Sequence, residues 1–315
     1  MRAKLIRAAK RLARRVIGRP IVGISILVYH RIAQENFDPF NLAVSPDEFE
    51  RQLARLRRKT VLPLTHFAKL HGQGKLPRDA VAITFDDGYA CNALVAAPML
   101  ESFGCPATFF VFSDAIERQE EFWWDQVEVI VHARQFNWQA AMRLLTSRSV
   151  TGLDQIVPEG PGPLALYLAL WQAVHRLRAD ERRVFLDELR NHLELNKAPR
   201  STHRPMTKME LRGLATNSLF EIGGHTATHP SLPTLDPAEQ EREIVGGSNI
   251  LRLTTGKPIR TFSYPFGEWD KTTREIVMAA GFECAVAGAH KRVRPRDNQF
   301  ALPRRLVVNR HAYTP

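Results

Sequence analysis

The chain has 315 residues, of which 44% are hydrophobic and 24% are charged, values that are ordinary for a folded globular protein and argue against disorder. The formal net charge is +11, but eight of the cations lie in residues 1–20, which contain no acid. Without that segment the net charge is only +3, so we do not expect a nucleic-acid-binding body or a nucleic-acid partner.

Residues 1–20 predict a basic amphipathic arm. Apolar side chains recur there at helical spacing on one side, cations occupy the other side, and Pro20 ends the pattern. Such a helix suits an anionic membrane surface. An alternative interpretation makes residues 1–19 the basic region of a secretory signal and 20–29 its apolar core, but no small-residue cleavage site follows.

After the arm, strands and helices alternate along most of the chain. The predicted strands are 22–30, 81–85, 107–112, 219–224, 260–264, 283–288 and 302–308, and the predicted helices are 45–58, 91–102, 237–253 and 270–280. This alternation predicts a parallel sheet or a barrel. Between about 114 and 204 it gives way to helical periodicity, which we interpret as an insertion into one α/β domain over 21–315. The tryptophans of this segment are expected mainly in its core.

The stretch AITFDDG, residues 82–88, ends an apolar strand with two adjacent carboxylates, Asp86 and Asp87. Adjacent acids repel each other, and burying either one is costly unless a positive group compensates it. On its own the motif is equally consistent with an acidic turn that caps the next helix.

The stretch GGHTATHP places His225 and His229 four residues apart, just past another predicted strand. Two such histidines face one point if the intervening segment makes a helical turn, although this spacing alone is a weak signal. Both motifs follow strand ends, where functional groups converge in parallel barrels. Two histidines and one aspartate form the ligand set of a catalytic metal site, and the second aspartate is then free to accept a proton.

Together, AITFDDGY, GGHTATHP and FSYPFG (262–267) resemble the NodB-like polysaccharide deacetylases, carbohydrate esterase family 4. The flanking segments LVYHRI, SPDEFERQL and GCPATFFV also resemble the bacterial branch of that family. The resemblance covers about 22–113 and 205–310, and it leaves out the arm and the helical insertion. It implies a distorted (β/α) barrel of the NodB-homology type.

The resemblance also implies roles for individual residues. Asp87, His225 and His229 correspond to the ligands of a divalent metal, for which zinc is the expected ion, and Asp86 corresponds to the catalytic base. The residues expected to line the substrate groove are Tyr264, Pro265, Phe266 and Gly267.

The sequence departs from the family pattern in two places. Ser263 stands where the family usually has an arginine directed at the base, and Arg304 or Arg305 could replace that arginine. The strand that normally ends with a Leu-x-His general acid has no clear equivalent. His30, at the end of the first strand, is the preferred candidate for that acid. The alternatives are an ordinary hydrogen-bonded histidine at position 30, or an acid supplied by His290 or His311.

The implied reaction is hydrolysis of an N-acyl amide, with N-acetyl as the expected group, on an amino sugar of a polysaccharide or lipid-linked glycan. The alternatives are a catalytically inactive sugar-binding protein of the same fold, and a deformylase acting on a lipid-linked amino sugar. Three widely spaced cysteines favour a reducing compartment. With the arm, they predict a cytoplasmic protein, peripheral on the inner face of the membrane, with a secreted or periplasmic location as the lesser alternative.

Overall fold

The structure is a computed structural model that describes residues 23–146, 156, 158–160, 162–196, 198–288 and 291–309. The predicted arm, His290 and His311 lie outside the described residues. The chain divides into two compact units: one comprises the residues up to Arg118 together with those from Pro205 onward, and the other comprises Gln119–Arg204. Among the described helices, none combines the length and the apolar character that crossing a membrane requires.

The larger unit contains a closed barrel of seven parallel strands. The strands of the chain are β1 (Ser25–Tyr29), β2 (Arg31–Ile32), β3 (Ala43–Val44), β4 (Thr60–Val61), β5 (Ala80–Phe85), β6 (Ala107–Val111), β7 (Phe220–Gly224), β8 (Thr261–Ser263), β9 (Cys284–Gly288) and β10 (Leu302–Leu306). The order around the barrel is β1-β10-β9-β8-β7-β6-β5, and pairing of β5 with β1 closes it. Strand β4 is an additional partner of β5, and β2 pairs with β3 separately. The predicted (β/α) barrel is therefore confirmed.

The helices pack around this barrel and fill the smaller unit. Their bounds are α1 (Pro46–Leu56), α2 (Leu64–Gly72), α3 (Ala97–Ser102), α4 (Ser113–Arg118), α5 (Trp123–Val131), α6 (Trp138–Thr146), α7 (Pro163–Val174), α8 (Ala179–His192), α9 (Lys208–Thr216), α10 (Pro237–Glu241), α11 (Gly247–Thr255) and α12 (Lys271–Ala279). The helices predicted at 91–102 and 237–253 each contain a π-helical turn, at Asn92–Ala96 and Arg242–Gly246.

The barrel strands are buried on both faces, which explains why they are almost continuous apolar runs in the sequence. Alternate residues point in opposite directions. On the outer face, Tyr29 and Phe85 stack at 5.2 Å and pack against Phe49 of α1. On the inner face, Ile26, Phe110 and their neighbours belong to a separate buried cluster.

Helix α2, which the sequence analysis did not predict, closes the amino-terminal end of the barrel. Its inward side chains Leu64, Phe67 and Ala68 join the inner cluster, many of whose members come from the first residues of strands. At its start, the Thr65 hydroxyl donates to Glu221 near the beginning of β7, and the Thr108 hydroxyl donates to the same carboxylate at 2.8 Å. Because this end is plugged, only the carboxyl end of the barrel is left for a site.

The smaller unit packs its helices around buried aromatic residues. Trp123 and Trp124 are each 9% exposed, and their rings meet edge to face at 5.4 Å. Arg200 forms hydrogen-bonded ion pairs with Glu121 and Glu128 at 3.0 and 3.1 Å. The burial of both tryptophans supports the interpretation that they form a core and do not serve as exposed sugar platforms.

Close packing inside the barrel leads to a stability prediction. A Cβ atom added at Gly223 would lie 2.3 Å from the Phe110 ring and 2.8 Å from the Thr261 hydroxyl. We expect Gly223→Ala to lower the free energy of unfolding by about 1–3 kcal/mol because the interior is overpacked. Urea unfolding followed by circular dichroism measures this change.

Gly213→Ala is the matched control. Gly213 lies on the exposed side of α9, and an added Cβ meets no atom within 4 Å. The substitution should raise the free energy of unfolding by about 0.4–1 kcal/mol because alanine restricts the unfolded chain. Equal stability of the two variants would contradict the described packing of β7 against β6.

Candidate functional site

Three strand ends meet at the carboxyl end of the barrel. Asp86 and Asp87 follow β5, His225 follows β7 and His30 follows β1. The backbone N–H of Asp86 donates to the Tyr29 carbonyl at 2.9 Å, which joins the ends of β5 and β1. The chain then turns sharply, with φ values of 74° at Asp87 and 89° at Gly88. This turn directs the side chains of the two acids to different partners.

His225 and His229 face one point, but the loop between them is not the helical turn by which their spacing could achieve this. Thr226 and His229 instead have left-handed backbones, with φ values of 70° and 57°. Left-handed conformations cost roughly 1–2 kcal/mol for residues with a side chain, so other contacts must stabilise them. One such contact is the buried Thr226 hydroxyl, which accepts the His229 backbone N–H at 2.9 Å.

Glu243 supplies the other contacts of this loop. Its carboxylate accepts the backbone N–H groups of Ala227 and Thr228 at 3.0 and 2.8 Å and the Thr228 hydroxyl at 2.7 Å. The sequence analysis missed this residue, since a glutamate one helix downstream of a motif is no signal by itself. Gly247 allows the helix to approach closely, because a Cβ there would lie 2.5 Å from the Thr226 backbone.

The loop brings three potential ligand atoms into a small triangle. Asp87 Oδ1 lies 3.5 Å from His225 Nε2 and 3.4 Å from His229 Nε2, and the two nitrogens are 3.1 Å apart. All three residues are at most 4% exposed. Ligands at about 2.0–2.2 Å from a tetrahedral ion are about 3.3–3.6 Å from one another. The triangle therefore fits a divalent metal without rearrangement.

Hydrogen bonding to His225 fixes which of its nitrogens is available. Its Nδ1 lies 2.7 Å from the Ser263 carbonyl oxygen, which can only accept, so Nδ1 carries the proton. In the neutral ring Nε2 then has a free lone pair, and it is Nε2 that belongs to the triangle. Two imidazole nitrogens and a carboxylate oxygen are a donor set typical of zinc sites.

The charge state of Asp87 suits a metal ligand. Burial alone would raise the pKa of this carboxyl, but its contacts with the His225 and His229 imidazoles and its proximity to His30 lower the pKa well below its usual range. Asp87 is therefore ionised near neutral pH, as coordination requires.

Asp86 has a different partner, the guanidinium of Arg304. Their two contacts are Nη1–Oδ1 at 2.7 Å and Nη2–Oδ2 at 2.6 Å, and both side chains are 4% exposed. The same guanidinium donates to the hydroxyls of Thr84 and Ser263 at 3.2 and 2.9 Å. This bidentate geometry is the strongest form of such a pair and fixes the orientation of the carboxylate.

The choice between Arg304 and Arg305 follows from strand alternation. Consecutive residues of β10 point to opposite faces of the barrel wall, so only Arg304 reaches Asp86. Burial would raise the pKa of Asp86, but the charge of Arg304 outweighs this effect and lowers it. Each of the two adjacent acids thus has its own source of positive charge or hydrogen bonding, which explains how both can be buried.

His30 is half-buried beside this pair. When protonated, it would lower the pKa of both Asp86 and Asp87, so it lies within electrostatic reach of them. Its Nδ1 is buried and makes no hydrogen bond to the described part of the chain. This histidine is therefore not held by an ordinary strand-end hydrogen bond at that nitrogen.

The turn at residues 264–267 divides into buried and accessible parts. The Phe266 ring packs edge to face on His229 at 4.6 Å, and Phe266 and Gly267 are half-buried. Tyr264 is fully buried, and its hydroxyl donates to the Phe300 carbonyl at 2.8 Å. Tyr264, one of the four residues expected to line a groove, therefore lies in the core and supports the turn.

A second group of potential ligands lies within the smaller unit: Asp125, Glu128 and His203. The Arg200 guanidinium is 3.1 Å from the Glu128 carboxylate and 3.3 Å from the Asp125 backbone carbonyl. Since a cationic side chain already occupies this cluster, the group is best explained as an ion-pair network.

With the geometry established, comparison with known proteins identifies the family. The sequence profile described as "Polysaccharide deacetylase" matches residues 73–140 and 196–285, which together make up half of the chain. The chain belongs to the polysaccharide deacetylase family, whose members are hydrolases of carbon–nitrogen bonds. The resemblance on which the sequence analysis relied is confirmed.

Individual relatives match shorter segments. The Bacillus subtilis (strain 168) protein YxkH is 32% identical over 108 residues, 33% of this chain and 37% of that protein. A chitooligosaccharide deacetylase from Bradyrhizobium sp. (strain ANU 289) is 32% identical over 78 residues, 24% of this chain and 34% of that enzyme. The chain thus matches about a third of the length of these relatives. The fold is similar to that of the Streptococcus pyogenes deacetylase PplD, with a TM-score of 0.60 and 17% identity over 91% of this chain and 93% of that one.

The pair of Arg304 and Asp86 leads to a prediction. Arg304→Gln leaves a buried carboxylate without its charge partner, so it should lower the free energy of unfolding at neutral pH by about 3–5 kcal/mol. Arg305→Gln, the matched control on the other face of β10, should change it by less than about 1 kcal/mol. Urea unfolding of both variants measures the difference.

The loss of unfolding free energy caused by Arg304→Gln should become smaller as the pH falls. In the native protein the lowered pKa of Asp86 contributes stability above the unfolded value of about 3.9, and this contribution is lost as the pH drops through the folded pKa. In the variant, burial without Arg304 raises the pKa of Asp86, so protonation relieves the unpaired charge. A deficit independent of pH would contradict this account of Asp86.

Proposed function

We propose that this protein is a metal-dependent hydrolase that removes an N-acyl group, most simply N-acetyl, from an amino sugar of a polysaccharide or lipid-linked glycan. The observation that supports it best is the buried triangle of Asp87, His225 and His229 beside a separately paired Asp86. The match to a chitooligosaccharide deacetylase supports an N-acetylated glycan as the substrate class.

Asp87, His225 and His229 would hold the metal, and they leave further coordination positions to water and substrate. When bound there, a divalent metal supplies Lewis-acid chemistry that polarises the amide carbonyl and makes water more acidic. The contribution of the protein is to present three ligand atoms in the correct protonation states and to exclude bulk water from them. Zinc is the ion that this donor set favours.

Asp86 would accept the proton of the attacking water. It is ionised at neutral pH, it is not part of the triangle, and Arg304 holds its carboxylate in one orientation. The amide carbon–nitrogen bond then breaks, and the acyl group leaves as a carboxylic acid. Because a free amine anion is a poor leaving group, the sugar nitrogen needs a proton, and His30 would donate it.

The turn at Phe266 would help to bind the carbonyl. Its ring lies against that of His229, one of the three candidate ligands. A backbone N–H at that position is a suitable donor to the oxygen as negative charge develops on it. Phe112, whose ring centroid is 5.3 Å from that of His229, adds an apolar wall on the same ligand.

Two alternatives share this fold. A deformylase would use the same groups on a smaller acyl substituent, and a sugar-binding protein would need neither the triangle nor a base. Assays of zinc-loaded protein on N-acetyl and N-formyl amino sugars, each free and lipid-linked, distinguish the three. Turnover of N-acetyl substrates supports the proposal, and binding without any turnover favours the sugar-binding protein.

We also propose that the protein works at the inner face of the membrane, held there by residues 1–20. The support is the sequence of that segment, which combines eight cations with an apolar stripe. In the described structure the three cysteines are free thiols, in keeping with a reducing compartment.

Metal binding should depend on the three ligands and not on the base. Asp87→Asn, His225→Gln and His229→Gln should each weaken zinc binding by more than the 10–100-fold that is typical of outer-sphere changes. Asp86→Asn should retain zinc and lose about 10²–10⁴-fold in kcat. Metal content after dialysis and a zinc-dependent shift in melting temperature are the measurements.

Asp86→Asn is also the matched comparison for zinc binding, because it is a neighbouring carboxylate-to-amide change in the same buried site. Full zinc occupancy in purified His225→Gln would overturn the assigned ligand set.

His30→Gln should lower kcat on acetamido sugars by about 10²–10⁴-fold, because the leaving amine must be protonated. The loss should be much smaller on an aryl acetate, whose phenolate leaves without a proton. His66→Gln, an exposed histidine on α2, serves as the control and should have no effect. If His30→Gln is fully active on acetamido sugars, the acid is another group, and His290 and His311 are tested next.

A further inference from the structure

The closed end of the barrel, opposite the candidate active site, is assembled from three segments of the chain. Helix α2 plugs it, and His71 Nε2 of that helix lies 3.0 Å from the Arg294 carbonyl oxygen. The Val293 backbone N–H donates to the Ile24 carbonyl at 3.2 Å, just before β1 begins. Segments 64–78, 291–296 and 23–24 therefore meet at this end.

Two of these segments carry charges of one sign. Segments 64–78 and 291–296 contain seven lysines and arginines and no acid. All seven are exposed, and we call them the closed-end basic face: Lys69, Lys75, Arg78, Lys291, Arg292, Arg294 and Arg296. Lys291 lies 3.4 Å from Asp297, and the other six make no ion pair within the part of the chain that the structure describes. Such a concentration of unneutralised cations favours an anionic partner.

Gly23, three residues after the arm in the sequence, lies at this same face. The Arg292 side chain lies against Gly23, so close that a Cβ atom on Gly23 would be 3.5 Å from Arg292 Cδ. Residues 1–20, which precede this point in the chain, add eight more cations. The six unpaired cations therefore lie on a face next to Gly23, shortly after the most basic segment of the sequence.

We propose that the closed-end basic face binds an anionic lipid bilayer together with residues 1–20, so that the barrel stands on the membrane with its catalytic end directed away from the lipid. Each cation near an anionic leaflet strengthens binding by up to about fivefold, and the effect fades within a Debye length of about 8–10 Å. Cations on one flat end of a barrel can approach a planar surface together, whereas cations spread around its circumference cannot.

A bilayer fits this face better than a nucleic acid does. The arm repeats apolar residues at helical spacing, among them Leu5, Leu12, Val16 and Ile17, and these can enter the boundary between headgroups and acyl chains. Phosphodiester backbones would use the cations but leave this stripe exposed to water.

The orientation restricts the substrate, a step that rests on the proposed function. The five-residue strands of the barrel, each about 17 Å long, separate the closed end from the site. An N-acyl group on a sugar directly at the lipid headgroup would not reach such a site. The geometry therefore favours acylated sugars that stand away from the bilayer, in a polymer or in the outer part of a long lipid-linked glycan.

The test compares two triple variants of the full-length chain on phosphatidylcholine vesicles that contain about 30% phosphatidylglycerol. Arg292→Gln, Arg294→Gln and Arg296→Gln together should weaken vesicle binding by at least about tenfold. The matched control removes the same charge from exposed positions on the helices around the barrel, as Arg212→Gln, Arg242→Gln and Arg252→Gln, and should bind within about twofold of the parent. Hydrolysis of a soluble substrate by both variants reports on folding and on the active site independently of the membrane.

Several results would overturn the proposal. Equal losses in the two triple variants would mean that only net charge matters. Unchanged binding of the first triple variant, with binding lost in Leu5→Glu/Leu12→Glu, would mean that the arm docks alone. Tighter binding to an oligonucleotide than to the vesicles at the same salt concentration would indicate a nucleic-acid surface. In each case normal hydrolysis would leave the proposed reaction unaffected. Loss of hydrolysis with normal vesicle binding would instead contradict the proposed reaction and leave the membrane proposal unaffected.

The orientation of the barrel on the membrane is measured separately, in a Cys91→Ser background in which the two remaining cysteines are buried. A fluorophore on Arg296→Cys should be quenched by vesicles made with brominated lipid. A fluorophore on Lys271→Cys, at the start of α12 on the catalytic end, should not be quenched. The opposite pattern, or equal quenching at the two positions, would refute the proposed orientation.

Discussion

The burial of two adjacent carboxylates is the constraint on which the rest of this structure depends. Asp86 and Asp87 are both 4% exposed, and two like charges side by side in a protein interior are tolerated only if each is separately compensated. Asp86 has the guanidinium of Arg304, and Asp87 has the nitrogens of His225 and His229. Because these partners come from two other segments, the loop after β7 and strand β10, the site exists only when the barrel is closed.

The register of the strands determines which groups reach the two acids. Arg304 is paired in register with Ile26 of β1 and Gly288 of β9, and from that position it contacts Thr84, Ser263 and Asp86. A slip of one residue would turn Arg304 to the outer face, away from Asp86. The same wall of strands supplies the Ser263 carbonyl that fixes the His225 tautomer. The pairing that stabilises the barrel therefore also sets the chemistry of the site.

The two ends of the barrel have different physical characters. At the carboxyl end, backbone strain is concentrated at Asp87, Thr226, His229 and Phe266, all with positive φ, and such strain is typical of places where function dictates the conformation. At the amino-terminal end, α2 fills the barrel with apolar side chains and leaves basic groups on the outside. A hydrolase of this kind can be held at a surface by its plugged, basic end. The site at the other end then stays accessible to substrate.

The sequence by itself determined the alternating α/β architecture, the family, and the four residues that follow β5 and β7, because parallel strands bring their carboxyl ends together whatever the details of the loops. Only the tertiary structure decided the rest. Arg304 contacts Asp86, which lies 218 positions earlier in the sequence. Glu243 holds the loop of His225 and His229 from the helical segment that follows that loop. No local sequence pattern encodes either contact. The spacing of His225 and His229 suggested a helical turn, but Thr226 and Glu243 hold a left-handed loop in its place. Local periodicity reports which face of an element is buried, whereas the partner of a buried charge depends on which distant strand the closed barrel places beside it.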